Sequence, residues 1–263
     1  MIKIHVLAEN TACSAKYGCE HGLSLYMVTD RHNILFDSGQ SNLLIHQAAL
    51  LGADLGKVDL AVLSHGHYDH GGGLEGFLEV NKTAPVYLHK TAFGAYYNQA
   101  GQYIGLSPTL KKSDRLVYTG DEVKIDDEVT LCTCSGQKAV YPIERAGLQV
   151  KTTRGYSSDL FTHEQYLVLN DHGRKIVCSG CAHKGILNIM HWLKPDVFIG
   201  GFHFMKEDIS RPNDRLDHAA AALLAFDALY YTCHCTGRPQ YLYLKERMGD
   251  RLRYISAGET VTL

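Results

Sequence analysis

Four side chains of the types that bind divalent metals occupy six consecutive positions. The segment reads His65-Gly-His67-Tyr-Asp69-His70, follows an apolar run and precedes three glycines. Alternate residues of an extended loop share a side, so His65 and His67 would bind one ion. Asp69 and His70, at the end of the loop, would then reach a second ion. Imidazole and carboxylate ligands suit zinc, iron or manganese, and two ions about 3.5–4 Å apart form the usual dinuclear arrangement.

Two later segments contain further ligand types. Cys178-Ser-Gly-Cys181-Ala-His183 and Cys233-His234-Cys235 each follow a predicted strand. Along an extended chain His234 points away from its flanking cysteines, so the imidazole and the thiols would not serve the same face. The cysteines of the two segments could instead form an all-thiolate zinc site, or the first pair a redox dithiol. The interleaved histidines favour histidine ligation.

Composition limits the remaining possibilities. The chain has 263 residues, 45% of them hydrophobic, and 26 Lys plus Arg balance 28 Asp plus Glu. This balance predicts no field that attracts nucleic acid or an anionic membrane. The N-terminus lacks the pattern of a secretory signal. We therefore expect a cytoplasmic protein with eight free thiols and a small-molecule substrate.

Hydrophobic periodicity predicts alternating strands and helices. The predicted strands are Ile2–Val6, Leu23–Val28, Ile34–Phe36, Val58–Leu63, Val86–His89, Arg115–Tyr118, Val129–Cys134, Gln165–Leu169, Lys175–Ser179, Val197–Ile199 and Leu229–Thr232. The predicted helices are Asn42–Leu51, Leu74–Val80, Thr91–Tyr97, Gly185–Leu193, Asp217–Phe226 and Arg238–Met248. A final hairpin, Leu252–Leu263, would turn at Ala257-Gly258. No linker divides the chain, so we expect one α/β domain over residues 1–263, with two sheets and outer helices.

The metal cluster resembles the HxHxDH signature of the metallo-β-lactamase superfamily. Other segments resemble one branch of it, named after the archaeal 7,8-dihydropterin-6-yl-methyl-4-(β-D-ribofuranosyl)aminobenzene 5'-phosphate synthase. These segments are, in order, Glu9–Ala12, Glu20–Ser24, Ile34–Ser41, Leu63–Gly73, Gly180–His183, Gly200–His203 and His234–Gly237. The resemblance covers nearly the whole chain. It implies a four-layer αβ/βα sandwich of two mixed β-sheets flanked by helices, with the metals at one edge between the sheets.

The resemblance also implies a ligand set for two ions. The first ion would take His65, His67 and His183, and the second Asp69, His70 and His234. Many relatives have a bridging aspartate where this chain has Cys181. Either the Cys181 thiol or a water molecule would therefore bridge the ions.

Several residues near these segments are candidates for supporting roles. Asp37 could accept an N–H from a ligand imidazole, or could simply be the turn residue of Asp-Ser-Gly. Glu20, His21 and His203 could line the mouth of the site and contact substrate, or could have surface or packing roles. His163 is a candidate ligand, with a surface position as the alternative.

The chemistry expected of this site is hydrolysis. Two divalent ions, with zinc as the first candidate and iron or manganese as alternatives, would convert water to hydroxide and polarise an ester or phosphoester. Asp69 would be the catalytic residue, because as a ligand it would also orient the water. The alternatives are a transferase that displaces pyrophosphate from a pterin-type substrate, and a non-catalytic ligand sensor.

Overall fold

The computed structural model describes residues 1–263, and its largest features are two seven-stranded sheets. The first sheet contains β1 (Lys3–Ala8), β2 (Ser24–Val28), β3 (Asn33–Phe36), β4 (Leu60–Val62), β5 (Val86–His89), β7 (Leu116–Thr119) and β17 (Thr260–Thr262). Its strand order is β17-β1-β2-β3-β4-β5-β7. The pairings of β3 with β4, β4 with β5 and β5 with β7 are parallel, and the others are antiparallel.

The second sheet repeats this mixture of pairings. It contains β8 (Glu122–Lys124), β9 (Val129–Cys132), β12 (Tyr166–Asp171), β13 (Arg174–Ser179), β14 (Val197–Gly200), β15 (Leu229–Thr232) and β16 (Leu252–Tyr254). The strand order is β16-β15-β14-β13-β12-β9-β8. The run from β13 to β16 is parallel and the rest antiparallel. The two sheets therefore share one architecture, although their sequences contain no obvious repeat.

The remaining elements are helices and a small sheet. The helices are α1 (Leu43–Leu51), α2 (Tyr68–Gly71), α3 (Leu74–Val80), α4 (Ile186–Leu193), α5 (Asp214–Leu224) and α6 (Arg238–Met248). The small sheet pairs β10 (Gln149–Thr152) with β11 (Gly155–Ser158) and β6 (Ala95–Tyr97). None of the helices has the length and apolar character that crossing a bilayer requires.

Three apolar clusters define four layers. The central cluster joins side chains of both large sheets, such as Phe36 of the first and Ile199 of the second. Another cluster packs α1 and α3 on the outer face of the first sheet, and a third packs α4, α5 and α6 on the outer face of the second. This arrangement confirms the predicted sandwich of two mixed sheets flanked by helices.

One predicted helix is wrong. Residues 91–97 form a turn followed by β6, because Tyr96 and Ala95 pair with Val150 and Lys151 of β10. Glycine at position 94 also costs a helix about 1 kcal/mol relative to alanine. A pairing partner more than fifty residues away in sequence outweighs the weak local periodicity.

The predicted C-terminal hairpin is also wrong. β16 pairs in parallel with β15 of the second sheet, whereas β17 pairs with β1 of the first. The turn at Gly258 exists, with φ of 87°, but its N–H donates to the carbonyl of Val6 at 2.9 Å. The last residues therefore connect the two sheets instead of pairing with each other.

Candidate metal centre

The candidate site lies at the carboxyl ends of parallel strands from both sheets. Asp37 follows β3, the His65 segment follows β4, the Cys181 segment follows β13 and the His234 segment follows β15. In open α/β sheets this edge is where ligands bind. Residues far apart in sequence are brought together because both sheets present the same edge.

The His65–His70 segment is extended only at its start. His67 has φ of −101° and ψ of 149°, and its carbonyl accepts the N–H of Gly71 at 3.1 Å, which closes the helical turn α2. The prediction of an extended loop throughout is therefore wrong from Tyr68 onwards. The turn depends on close backbone approach, since a Cβ at Gly73 would lie 2.2 Å from the carbonyl oxygen of Ser38.

Three histidines converge in the first half of the site. His65, His67 and His183 each place a ring nitrogen within 4.8 Å of the other two. The Nε2 atoms of His65 and His183 lie 3.3 Å apart. Nitrogen ligands about 2.0–2.1 Å from a tetrahedral zinc ion lie about 3.4 Å from each other. The spacing thus fits one shared ion.

Asp69, His70 and His234 form the second half. The Oδ2 atom of Asp69 lies 3.7 Å from Nε2 of His70 and 3.5 Å from Nε2 of His234. Oδ2 of Asp69 also lies 3.3 Å from Nε2 of His21. The sulfur of Cys181 stands 3.3 Å from Nε2 of His70 and groups with both His65 and His70. Cys181 therefore lies between the two halves.

Burial lowers the pKa of four of these rings, His65, His67, His183 and His234, and this keeps them in the neutral form that binds metals. Burial lowers the pKa of His67 to about 3 and that of His234 to about 4. The buried Nε2 atoms of His67 and His234 have no hydrogen-bond partner. Buried polar atoms are nearly always partnered. Converging, unpartnered lone pairs with ligand spacing fit divalent metal ions.

Hydrogen bonds on the outer sides of the rings fix which nitrogen points inward. His70 donates from Nδ1 to Oδ2 of Asp37 at 2.7 Å, which leaves Nε2 facing the site. The same carboxylate accepts from the N–H and the hydroxyl of Ser64, whose oxygen lies 2.8 Å from Nδ1 of His65. Nδ1 of His234 lies 2.7 Å from Oδ1 of Asn10. Such partners orient ligand imidazoles in metal sites.

Two buried carboxylates hold the backbone of the later histidines. Glu9 accepts the N–H of His234 at 2.5 Å, and Glu164 accepts the N–H of His183 at 2.6 Å. His234 itself has φ of 45°, a left-handed conformation that is costly for a residue other than glycine. Burial raises the pKa of Glu9, while its hydrogen bonds act to lower it. Sequence reasoning missed both carboxylates, because each lies far along the chain from the residue it holds.

His163 is not on the surface, and both of its ring nitrogens have partners within the protein. The side chain is fully buried. Its Nδ1 accepts the N–H of Gly66 at 2.9 Å, and its Nε2 lies 3.0 Å from Oδ2 of Asp159. With both nitrogens engaged, His163 holds the backbone between the first two candidate ligands.

The three residues expected at the mouth of the site have different environments. Glu20 accepts the backbone N–H groups of Gln40 and Ser41 at 2.9 and 3.2 Å, so it stabilises a neighbouring loop. His21 is 44% exposed and touches Asp69 from the solvent side. His203 is half-buried, with its ring centroid 4.6 Å from that of His183.

A cavity of about 220 Å³ opens beside His183 and His203. Half of its lining residues are apolar, among them Phe202, Phe204 and Ile186, and its charged residues are Glu144 and Arg215. Because His183 is a candidate ligand, the cavity borders the candidate metal centre.

The cysteines divide into two pairs. Cys178 and Cys233 are buried in the apolar cluster between the sheets, whereas Cys181 and Cys235 face the site. The predicted alternation along an extended chain is wrong at His234–Thr236, which forms a 3₁₀ turn, so Cys235 and His234 lie together. This division excludes an all-thiolate site of four cysteines, and all eight cysteines are free thiols.

Comparisons with known proteins agree with this architecture. Residues 17–131 match the metallo-beta-lactamase superfamily. An uncharacterized protein of Methanocaldococcus jannaschii is 29% identical over 249 residues, covering 89% of this chain and 90% of its own length. The 7,8-dihydropterin-6-methyl-4-(beta-D-ribofuranosyl)-aminobenzene-5'-phosphate synthase of the same organism is 27% identical over 293 residues, covering 99% and 96%.

Among solved structures, Tm1679, a metal-dependent hydrolase of the beta-lactamase superfamily, superposes with a TM-score of 0.82. The two chains are 26% identical, and the match covers 100% of this chain and 99% of Tm1679. Fold, strand-end loops and full-length similarity agree, and the chain is similar to proteins of the metallo-β-lactamase superfamily over its whole length.

Proposed function

We propose that this protein is a hydrolase that uses two divalent metal ions to cleave an ester or phosphoester bond in a small molecule. One observation carries the proposal: buried donor atoms of six residues converge in two neighbouring groups with the spacing of metal ligands. His65, His67 and His183 would hold one ion, and Asp69, His70 and His234 the other. Zinc is the first candidate, with iron or manganese as alternatives.

The ions would supply the chemistry, and the protein side chains would position the reacting groups. Bound ions would bring the pKa of a water molecule close to 7 and polarise the bond to be cleaved. The carboxylate of Asp69 would orient that water. Asp37 keeps the Nδ1 proton of His70 on the outer side, so that Nε2 stays available. Glu9 and Glu164 hold the backbone of His234 and His183, which limits movement of the centre during reaction.

The cavity beside His183 supports a small organic substrate. Its volume of about 220 Å³ suits a group the size of a single ring or a short acyl chain. Apolar walls would bind that group while the reactive bond lies at the metal centre. His203 and His21, at the open side of the centre, are candidates for contacts with the substrate.

The proposal is tested by replacing one ligand and a matched surface histidine. His67→Ala should lose bound metal and hydrolytic activity together, whereas His46→Ala, an exposed histidine of α1, should keep both. Metal content is measured by elemental analysis, and activity with a panel of phosphoesters, lactones and thioesters. A metal-free His67→Ala protein with full activity would contradict the proposal. Absence of turnover with every metal would favour a ligand sensor.

A transferase is the second candidate, favoured by the similarity over 99% of the chain to the archaeal synthase. In this reaction an aryl nucleophile would displace pyrophosphate from a pterin-type substrate, with the ions holding phosphate oxygens. Pyrophosphate release with and without the aryl acceptor separates the two reactions. A transferase requires the acceptor, whereas a hydrolase releases pyrophosphate without it.

A further inference from the structure

Two cysteines outside the candidate metal centre lie together at the end of β9. Cys132 is the last residue of this strand, and Cys134 follows two positions later. The chain turns at Cys134, whose φ of 54° is a left-handed conformation that is costly for a residue other than glycine. The two thiols are in hydrogen-bonding contact, with Cys132 as the donor. The turn therefore holds a pair of adjacent thiols.

This pair faces a cavity that contains none of the candidate metal ligands. The cavity has a volume of about 210 Å³, and its lining includes both cysteines and the helix residues Trp192 and Leu193. Cys134 is half-buried, whereas Cys132 is buried. A small molecule that enters the cavity therefore meets Cys134 first, with Cys132 behind it.

A buried ammonium group lies beside the pair. Lys184 donates from Nζ to the carbonyl oxygen of Thr133, the residue between the two cysteines, at 2.8 Å. The hydrogen bond from Cys132 and the charge of Lys184 lower the pKa of the Cys134 thiol, although burial acts to raise it. The same contact, together with burial, raises the pKa of Cys132. Because the thiolate is the reactive form, Cys134 is the nucleophile of the pair and Cys132 keeps its proton.

The carboxylates of the cavity indicate the class of molecule that reacts there. Asp121 and Glu122 line the same cavity as the thiols. Their charges repel anionic disulfides such as oxidised glutathione, whereas a neutral hydroperoxide is not repelled. A cavity of about 210 Å³ also suits a molecule of a few heavy atoms better than a tripeptide disulfide.

We propose that Cys132 and Cys134 form a redox-active dithiol, which a small hydroperoxide oxidises to an intramolecular disulfide. The Cys134 thiolate attacks one peroxide oxygen and the O–O bond breaks, which leaves a sulfenic acid on Cys134 and an alkoxide that takes up a proton. The sulfur of Cys132 then attacks the sulfenic sulfur, and the proton of its thiol leaves with the hydroxyl group as water. The thiol pair loses two electrons and the peroxide gains them. This reaction is independent of the proposed hydrolysis.

Digestion with trypsin gives a direct test of the disulfide. Cleavage after Lys124 and Lys138 releases a peptide, residues 125–138, that contains these two cysteines and no other. After treatment of the intact protein with hydrogen peroxide and alkylation of the remaining thiols, this peptide should carry no alkyl group and be two hydrogen atoms lighter than the reduced peptide. The exposed thiol of Cys13, which lies in another peptide, is the internal reference and should react at least about tenfold more slowly.

The only tryptophan of the chain lines the same cavity and reports the reaction without digestion. A disulfide quenches the fluorescence of a neighbouring indole, so peroxide should lower the emission of Trp192 and a thiol reductant should restore it. Cys13→Ser is the matched control and should keep this reversible change. Cys134→Ser should lose it.

A third variant tests the order of the two steps. In Cys132→Ser the reaction should stop at the sulfenic acid, which dimedone then labels on Cys134, whereas the wild-type protein should take up no label there. A peptide 125–138 that stays doubly alkylated at peroxide concentrations that oxidise Cys13 would overturn the inference. Unlabelled Cys134 in Cys132→Ser would overturn its assignment as the nucleophile. These results leave the proposed hydrolase intact, since none of the measurements depends on hydrolytic activity.

Discussion

Asp37→Asn replaces one carboxylate oxygen by an NH₂ group at the residue that orients His70. The Asp37 carboxylate accepts three hydrogen bonds: from Nδ1 of His70 at 2.7 Å, from the N–H of Ser64 at 2.7 Å and from the Ser64 hydroxyl at 2.8 Å. An asparagine has a single acceptor oxygen. Whichever way its amide turns, its NH₂ group faces an N–H donor, either that of His70 or that of Ser64.

This mismatch should lower both the stability of the metal-free protein and its affinity for metal. An unsatisfied buried donor costs about 1–3 kcal/mol, so the metal-free variant should unfold at lower urea concentration. His70 can relieve the clash by moving its proton to Nε2, the nitrogen that faces the site. Losing such an orienting partner costs about 10- to 100-fold in metal affinity, or about 1.4–2.8 kcal/mol.

Competition with a chromophoric chelator measures the affinity for each ion, and urea unfolding measures the stability of the metal-free protein. Asp59→Asn is the matched control, because that exposed carboxylate accepts the N–H of Asn33 at the opposite end of the same sheet. The control should bind metal like the wild type. Affinity of Asp37→Asn within twofold of the wild type for both ions would refute the assignment of Asp37.

Three further outcomes follow from the structure. Burial and nearby lysine charges lower the pKa of His89 to about 4, so the folded chain keeps this histidine neutral while the unfolded chain protonates it below about pH 6.5. Stability should therefore fall between pH 6.5 and 4, and urea unfolding of His89→Gln at pH 7 and 5 should give a smaller loss. Ala219→Phe, in the wall of the cavity, should raise KM at least about tenfold at constant metal content, whereas Ala221→Phe on the exposed face of α5 should not. Removing the ions with a chelator should lower the melting temperature, because ligand at 100 times its Kd contributes about 2.7 kcal/mol per site, and an unchanged melting curve would contradict metal binding to the folded state.

The strands and helices that position the site could largely be predicted from the sequence. The helices Leu74–Val80 and Arg238–Met248 and the strands Val86–His89 and Leu229–Thr232 have the predicted bounds. Each has strong local periodicity or clear end signals, such as the glycine before α6. The metal cluster could be recognised for a similar reason, since its four candidate ligands lie within six consecutive positions.

Interactions between distant segments could not be predicted. The last strand pairs with the first instead of with its neighbour, and β6 finds its partner in β10. Glu9 and Glu164 hold ligand backbones through single hydrogen bonds that leave no periodic pattern. The left-handed turn at His234 brought Cys235 into the site, where an extended chain would have turned it away.

The central claim is that the edge between the two sheets holds two metal ions. Anomalous scattering from crystals of anaerobically purified protein, recorded on both sides of the absorption edge of the metal found by elemental analysis, tests it most directly. We predict two peaks about 3.5–4 Å apart, one among His65, His67 and His183 and the other beside Asp69, His70 and His234. A protein without anomalous peaks at this edge, or with a single ion bound elsewhere, would contradict the account.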